Sequence, residues 1–261
     1  MNLEFFSLTD TGRARRNNED AVTVDETARV AVLADGMGGY NAGEVASQMA
    51  ADRVRADLAG RLRPLGANPS DADMRSAIAE AVRGANQAVW EAATRTAEFA
   101  GMGTTLVVAA FRGDKLWLGH IGDSRAYRLR RGHLEQLTRD HSLLQEQIDA
   151  GLISAEQAAY AMHKNLVTRA VGVEEAVDAE IHEHAIEAGD LFLLCSDGLS
   201  DMLPDEQIGE LLQANDSLAE AGALLVRGAN AAGGRDNIAV ILVRAKSGAG
   251  PFARSWWTFW R

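Results

Sequence analysis

Asp35 stands in VAVLADGMGG, directly after an apolar run and directly before a glycine. The same design recurs along the chain. Glu19 and Asp20 lie in NNED just before a strand-like segment, Asp123 in IGDS at the end of LWLGHIG, Asp197 in SDG after LFLLC, and Asp236 in GRDN before NIAVILV. Taken singly, each is a turn, because Asp, Asn and Gly serve turn backbones. Taken together they predict something else. Asp35, Asp123 and Asp197 all follow strongly apolar strands. If those strands are neighbours, the carboxylates converge at one end of a sheet and repel one another unless cations neutralise them.

Hard oxygen donors of this kind suit Mg²⁺, Mn²⁺ or Ca²⁺. Cysteine and histidine show no zinc spacing: Cys195 is the only cysteine, and His182 and His184 are two apart on a strand-like segment. Gly36 allows close backbone approach, which makes its carbonyl a candidate ligand beside Asp35. The number of carboxylates favours two ions over one. Two bridged ions generate a hydroxide nucleophile and clamp the oxygens of an in-line displacement, the chemistry of phosphate ester hydrolysis. A phosphate also needs an anchor. RARRNNED offers Arg13, Arg15 and Arg16, whose guanidinium forks match phosphate oxygens. Spacing alone does not choose among them, nor against a solvated basic run.

The elements that must position these groups follow from periodicity. Leu3 to Thr9, Ala21 to Val24 and Val30 to Ala34 read as strands, the last ending at Asp35. Asn41 to Glu44 resembles a capping box opening a helix through AGEVASQMAADRVRADLAGRL, which RPLGANPS breaks. A second, alanine-rich helix is expected from about Asp71 to Phe99. TTLVVAAF and LWLGHIG pair through RGDK, and AYRLR and LEQLT through RGH, as antiparallel hairpins. Residues 141–162 read as helical, with a second capping box at Ser154 to Gln157. Leu191 to Cys195 is a strand, helices fall near 204–214 and 216–231, and NIAVILVRA closes the pattern as a strand. Hairpins alternating with helix pairs predict antiparallel sheets covered by helices.

Composition bounds the function. The 261 residues carry a net charge of −11, which disfavours nonspecific binding to nucleic acid. No charged, apolar leader opens the chain, and no run reaches the ~18 apolar residues of a spanning helix, so a cytoplasmic location is expected. A single cysteine excludes an internal disulfide. Cys195 lacks the glycine-rich loop and trailing arginine of a phosphatase nucleophile and reads as a buried structural thiol.

At this point the residues resemble the metal-dependent type 2C Ser/Thr protein phosphatases, in particular their bacterial branch. The motifs are TDTGRARRNNED, VLADGMGG with AGEVAS, GMGTT, HIGDSRAY, LTRDHS, TRAVG, LLCSDGLSD and GGRDNIAV, in the family's order over about residues 5–243. The resemblance implies an α+β fold, a four-layer α-β-β-α sandwich of two antiparallel sheets flanked by helix pairs. It implies a catalytic domain over 1–246 and a short aromatic and basic tail over 247–261. It also implies roles. Asp35 bridges two Mn²⁺ or Mg²⁺ ions, the Gly36 carbonyl and Glu19 serve one ion, and Asp197 and Asp236 serve the other. Asp20 orders metal-bound water, Asp123 with Asp197 matches a weak third metal site, and Arg15 binds the phosphate. Residues from about 142 to 168 correspond to a flap beside the site. The implied reaction is a single in-line attack of metal-bound hydroxide on phosphoserine or phosphothreonine, with phosphorylated proteins as substrates and a Ser/Thr kinase of the same pathway as the opposing enzyme.

One departure concerns the proton donor to the leaving alkoxide. Met37 and Tyr40 occupy positions where relatives carry histidine, so a water is the expected donor, with His120 and His141 read as structural or solvent-exposed. Three rival readings are a metal-free phosphoprotein-binding module, which predicts a missing ligand; a dedicated sigma-factor-pathway phosphatase, which predicts a sensor domain; and a phosphatase of non-protein phosphoesters. The tail, with Phe252, Trp256, Trp257, Phe259 and Trp260, is expected to pack on the domain, meet a membrane interface or dock on a partner.

Overall fold

Continuous apolar runs in the central strands build two sheets whose middles are buried on both faces. The computed structural model describes residues 1–39, 42–66, 69–154, 157 and 166–247. Its strands are β1 (Asn2–Asp10), β2 (Asp20–Asp25), β3 (Val30–Met37), β4 (Gly103–Thr104), β5 (Leu106–Arg112), β6 (Lys115–Ile121), β7 (Arg125–Arg130), β8 (His133–Gln136), β9 (Glu180–Ala185), β10 (Leu191–Cys195) and β11 (Ile238–Lys246). One sheet runs β1-β11-β10-β7-β8 and the other β2-β3-β5-β6-β9, with β4 paired to β3. Every pairing between these strands is antiparallel.

Successive side chains point to opposite faces of a strand. Ala31, Leu33, Val107, Ala109 and Phe111 therefore meet Phe192, Leu194, Ala239 and Ile241 of the other sheet in a shared core. Phe111 receives Phe5 and Phe192 edge-on, with ring centroids 5.9 and 5.7 Å away, a geometry worth about 0.5–1.5 kcal/mol per pair beyond burial. The alternate residues Val30, Val32, Ala34, Leu106 and Val108 face a second core under α1 (Ala42–Leu62) and α2 (Asp71–Arg95). Leu191, Leu193, Cys195, Val240 and Leu242 face a third core. Above it lie the one-turn α4 (Asp197–Ser200), α5 (Asp205–Gln213) and α6 (Leu218–Ala231). The result is the four-layer α-β-β-α sandwich. Burial on both faces explains why these strands read as continuous apolar runs.

Three boundaries differ from the sequence reading. β3 does not stop at Ala34: it continues through Asp35, Gly36 and Met37, because β2 pairs as far as Asp35 and β4 then takes Gly36 and Met37. The helix expected to reach Phe99 ends at Arg95, where extended Thr96 separates it from a 3-10 turn at Ala97–Phe99. Within the expected helix at 141–162, α3 covers Leu143–Asp149. The capping box at Ser154 and Gln157 forms reciprocally, at 2.8 and 3.2 Å. Asn41, Tyr40, residues 158–165 and the tail from 248 lie outside the described residues.

Candidate metal centre

The acids meet where the two sheets end side by side. Asp20 opens β2 opposite Asp35 of β3, Asp123 follows β6, Asp197 follows β10, and Asp236 precedes β11. A cavity of about 240 Å³ is lined by Arg15, Glu19, Asp35, Gly36, Met37, Gly38, Thr105, Asp123, Val167, Asp197 and Asp236. Seven of the eight residues singled out from the sequence line it. Asp20 is the exception, set against Asp35 and held from the far side by Ser196, whose Oγ donates to Asp20 Oδ2 at 2.8 Å.

Backbone and side-chain bonds fix this geometry. Asp35 N donates to Thr105 Oγ1 at 3.0 Å, and Thr105 N and Thr104 Oγ1 both donate to the Asp35 carbonyl at 2.8 Å. Asn237 sits at the centre of the loop that carries Arg15 and Glu19. Its Oδ1 accepts from Glu19 N at 2.8 Å, and its Nδ2 donates to the Thr11 and Asn17 carbonyls at 3.0 and 2.8 Å. Ser47, from AGEVAS on α1, donates to the Glu19 carbonyl. Glycine is required where backbones touch: a Cβ on Gly36 would lie 2.1 Å from the Gly43 carbonyl oxygen, and one on Gly43 2.6 Å from Glu19 Oε2.

Electrostatics show how closely like charge is crowded here. Burial, then the charges of Asp20, Asp197, Asp123 and Asp236, raise the Asp35 carboxyl well above its ordinary value. Asp197 is raised for the same reasons, by burial and then by Asp123 and Asp201. Burial pushes Asp20 up to about 7, and burial with the Asp140 charge pushes Asp123 up to about 6. Burial raises Glu19 as well, although Arg15 opposes it. Asp20 Oδ1 is buried with no partner. A lining rich in carboxylate oxygen, with no thiol or imidazole among the described residues, fits hard divalent cations that would neutralise it.

Of the three arginines, Arg15 is the one that lines the cavity. Its Nη2 donates to Asp236 Oδ2 at 2.7 Å, while Arg13 turns toward Asp10 and the Gly12 carbonyl. Met37 lines the cavity and carries no transferable proton. His120 and His141 are buried and line no part of it. Cys195 is fully buried, and burial pushes its thiol up to about 12, consistent with a structural role.

Four contributors escaped the sequence reading. Thr105, Ser196 and Asn237 act through bonds to residues 70 to 218 positions away, a pairing no local pattern reveals. Asp201 adds to the field at Asp197, and the four-residue spacing in SDGLSD was its only signal. The sequence also showed no histidine cluster, yet His120, His141 and Glu180 come together, with His182 on Glu180.

The model of the protein phosphatase 2C family matches residues 12–242. The chain is 40% identical over 240 residues to the serine/threonine protein phosphatase PstP of Mycobacterium tuberculosis, covering 92% of this chain and 44% of that relative, so it spans less than half of it. It is 38% identical over 246 residues to the serine/threonine phosphatase stp of Listeria welshimeri, covering 93% of this chain and 95% of the relative. The solved catalytic domain of PstP in complex with two manganese ions superposes with a TM-score of 0.82 at 39% identity, covering 94% of this chain and 99% of that one.

Proposed function

This chain belongs to the protein phosphatase 2C family, and from that premise we propose that it is a metal-dependent protein serine/threonine phosphatase, with residues 1–246 as its catalytic domain. The observation that carries the reading is the convergence of Glu19, Asp20, Asp35, Asp123, Asp197 and Asp236, from five separate segments, on one end of the sandwich. Repulsion among them is the signature of a site that works with cations present. Asp35, Glu19 and the Gly36 carbonyl, with Asp197 and Asp236, would hold two Mn²⁺ or Mg²⁺ ions, and Asp123 with Asp197 a weak third. When bound, such ions act as Lewis acids on phosphoryl oxygens and acidify water.

The chain's own groups do the rest. Arg15 exchanges its partner Asp236 for the non-bridging oxygens of a phosphoserine or phosphothreonine, which its fork binds in pairs. Asp20, anchored by Ser196, accepts hydrogen bonds from water on the attacking side and keeps it oriented. Attack in line with the leaving alkoxide requires no covalent enzyme intermediate, and among the described residues no thiol or imidazole lines the cavity to form one. Protonation of the alkoxide falls to water.

The substrates are phosphorylated Ser/Thr proteins, and a Ser/Thr kinase of the same pathway would be the opposing enzyme. Among the described residues no helix is long and apolar enough to cross a membrane, and the single thiol suits a reducing, cytoplasmic location. The test is phosphate release from a phosphothreonine peptide with Mn²⁺, Mg²⁺ or EDTA, comparing the wild type with Asp35→Asn. Turnover that depends on metal and is lost in the variant supports the reading. Absence of turnover with every metal, from folded protein, overturns it.

A further inference from the structure

We propose that His120 Nδ1, His141 Nε2 and Glu180 Oε2 form a second metal site, of the zinc class, separate from the carboxylate centre. One ring nitrogen from each histidine and one carboxylate oxygen of Glu180 lie within 4.8 Å of one another. They come from the sheet edge where His120 of β6 is the register partner of Glu180 of β9, and from the loop after β8 that brings in His141. The two imidazoles lie face to face, with centroids 4.7 Å apart and planes 20° apart. A metal sits in the plane of each ring it binds, about 2 Å from the nitrogen, so His141 must turn its ring, giving up the present stacking, to bring its lone pair to the ion that His120 Nδ1 faces.

The tautomer of His120 is the strongest observation. Its Nε2 lies 2.8 Å from the Arg139 carbonyl oxygen, which can only accept, so Nε2 carries the proton. Nδ1 therefore presents a lone pair, and that atom is buried with no partner in a residue only 1% exposed. A ligating histidine that donates its other N–H to a backbone carbonyl is the usual outer arrangement of such sites. Glu180 is prepared in the same way, since its Oε1 accepts from His182 Nε2 at 2.7 Å.

Charge agrees with geometry. Burial, reinforced by His141 and His182, lowers the proton affinity of His120 and favours its neutral form. Burial raises Glu180, but the bonds from His141 and His182 outweigh that and favour its ionised form. Two imidazoles and one carboxylate form a softer set than the oxygen-only centre, and they favour Zn²⁺, Cu²⁺ or Ni²⁺ over Mg²⁺.

His141 carries a cost that also makes the site testable. Its Nδ1 accepts from Gly122 N at 3.2 Å, so its proton resides on Nε2 and points at Glu180 Oε2 at 3.2 Å. Metal takes the Nε2 position, the proton relocates to Nδ1, and the Gly122 N–H loses its acceptor, with no net proton release. The Gly122 amide therefore reports whether the site is loaded.

The experiment titrates Zn²⁺ into the whole protein in millimolar Mg²⁺, which fills the carboxylate centre. Retained zinc is counted after gel filtration, and the Gly122 amide is followed by NMR. One zinc per chain is expected, with a shifted Gly122 amide. Affinity should fall at least about 10-fold in Glu180→Gln, whose side chain is partly exposed, and in His120→Gln. Failure of wild type to retain zinc would overturn the proposal and leave a buried water as the partner of His120 Nδ1. Zinc retained equally by wild type and Glu180→Gln would overturn it too, placing the ion at the carboxylate centre. Because Glu180→Gln leaves the buried imidazoles in place, the comparison stands even if His120→Gln does not fold.

Discussion

Asp20 and Asp35 are register partners across β2 and β3, two carboxylates directly opposite on one face of a sheet. Like charges in that relationship destabilise an antiparallel pair. Here the pair is retained, with Ser196 on Asp20 and Thr105 on the Asp35 backbone fixing both residues in place. The strain between them is a property of the metal-free protein, and it makes binding of cations and folding parts of one equilibrium.

Asp35→Asn removes the group at the centre of that repulsion. Phosphate release should fall by roughly 10²–10³-fold or more. The metal-free variant should melt no lower than the metal-free wild type, and Mn²⁺ should no longer raise its melting temperature. Thermal melts with and without Mn²⁺ check this, and a variant whose melting point still rises as far as wild type would contradict it.

The pH dependence of stability has a definite sign. Asp20 and Asp123 rise from an ordinary 3.8 to about 7 and about 6 in the folded chain. Raised carboxyls favour the folded state while protonated, so their contribution is complete below about pH 4 and is lost as pH climbs through 6 and 7. For Asp123 alone the difference corresponds to about 3 kcal/mol. The metal-free protein should therefore lose stability over that window, and the melting-point increase produced by a fixed Mg²⁺ concentration should grow from about pH 5.5 to 7.5. A Mg²⁺ effect independent of pH would count against it.

Gly43→Ala places a Cβ 2.6 Å from Glu19 Oε2. The Glu19 carboxylate must swing away and the Gly36 carbonyl carbon, 3.0 Å from the same Cβ, must give as well, so the disturbance falls on the Glu19 and Gly36 side of the site. The Mn²⁺ concentration for half-maximal activity should rise about 10-fold or more, with a smaller change in the rate at saturating metal. Titration of activity with Mn²⁺ separates the two.

Asn237→Ala removes three hydrogen bonds, the one from Glu19 N and those to the Thr11 and Asn17 carbonyls. A loss of about 1–3 kcal/mol is expected in urea unfolding. Because the same loop carries Arg15, KM for a phosphopeptide should rise as well. Normal KM in a destabilised protein would show that Asn237 supports the fold alone.

Much of the site was legible before folding because its chemistry is local. Asp-Gly after an apolar run, Arg15 four residues before Glu19, and the alternation that buries β5, β10 and β11 are all properties of a few adjacent residues. So are the strands and helices, whose periods of 2 and 3.6 residues follow from backbone geometry. Only tertiary structure decided what depends on register. It carried β3 through Asp35 to Met37, because β4 supplies partners that no local pattern announces. It set Asp35 against Asp20, brought Arg15 to the cavity beside Asp236, and gave Asn237 its three partners. It also gathered His120, His141 and Glu180, which span 60 residues of sequence, at one sheet edge. Side-chain type and spacing are written along the chain, but distance between side chains remote in sequence exists only once the strands have paired.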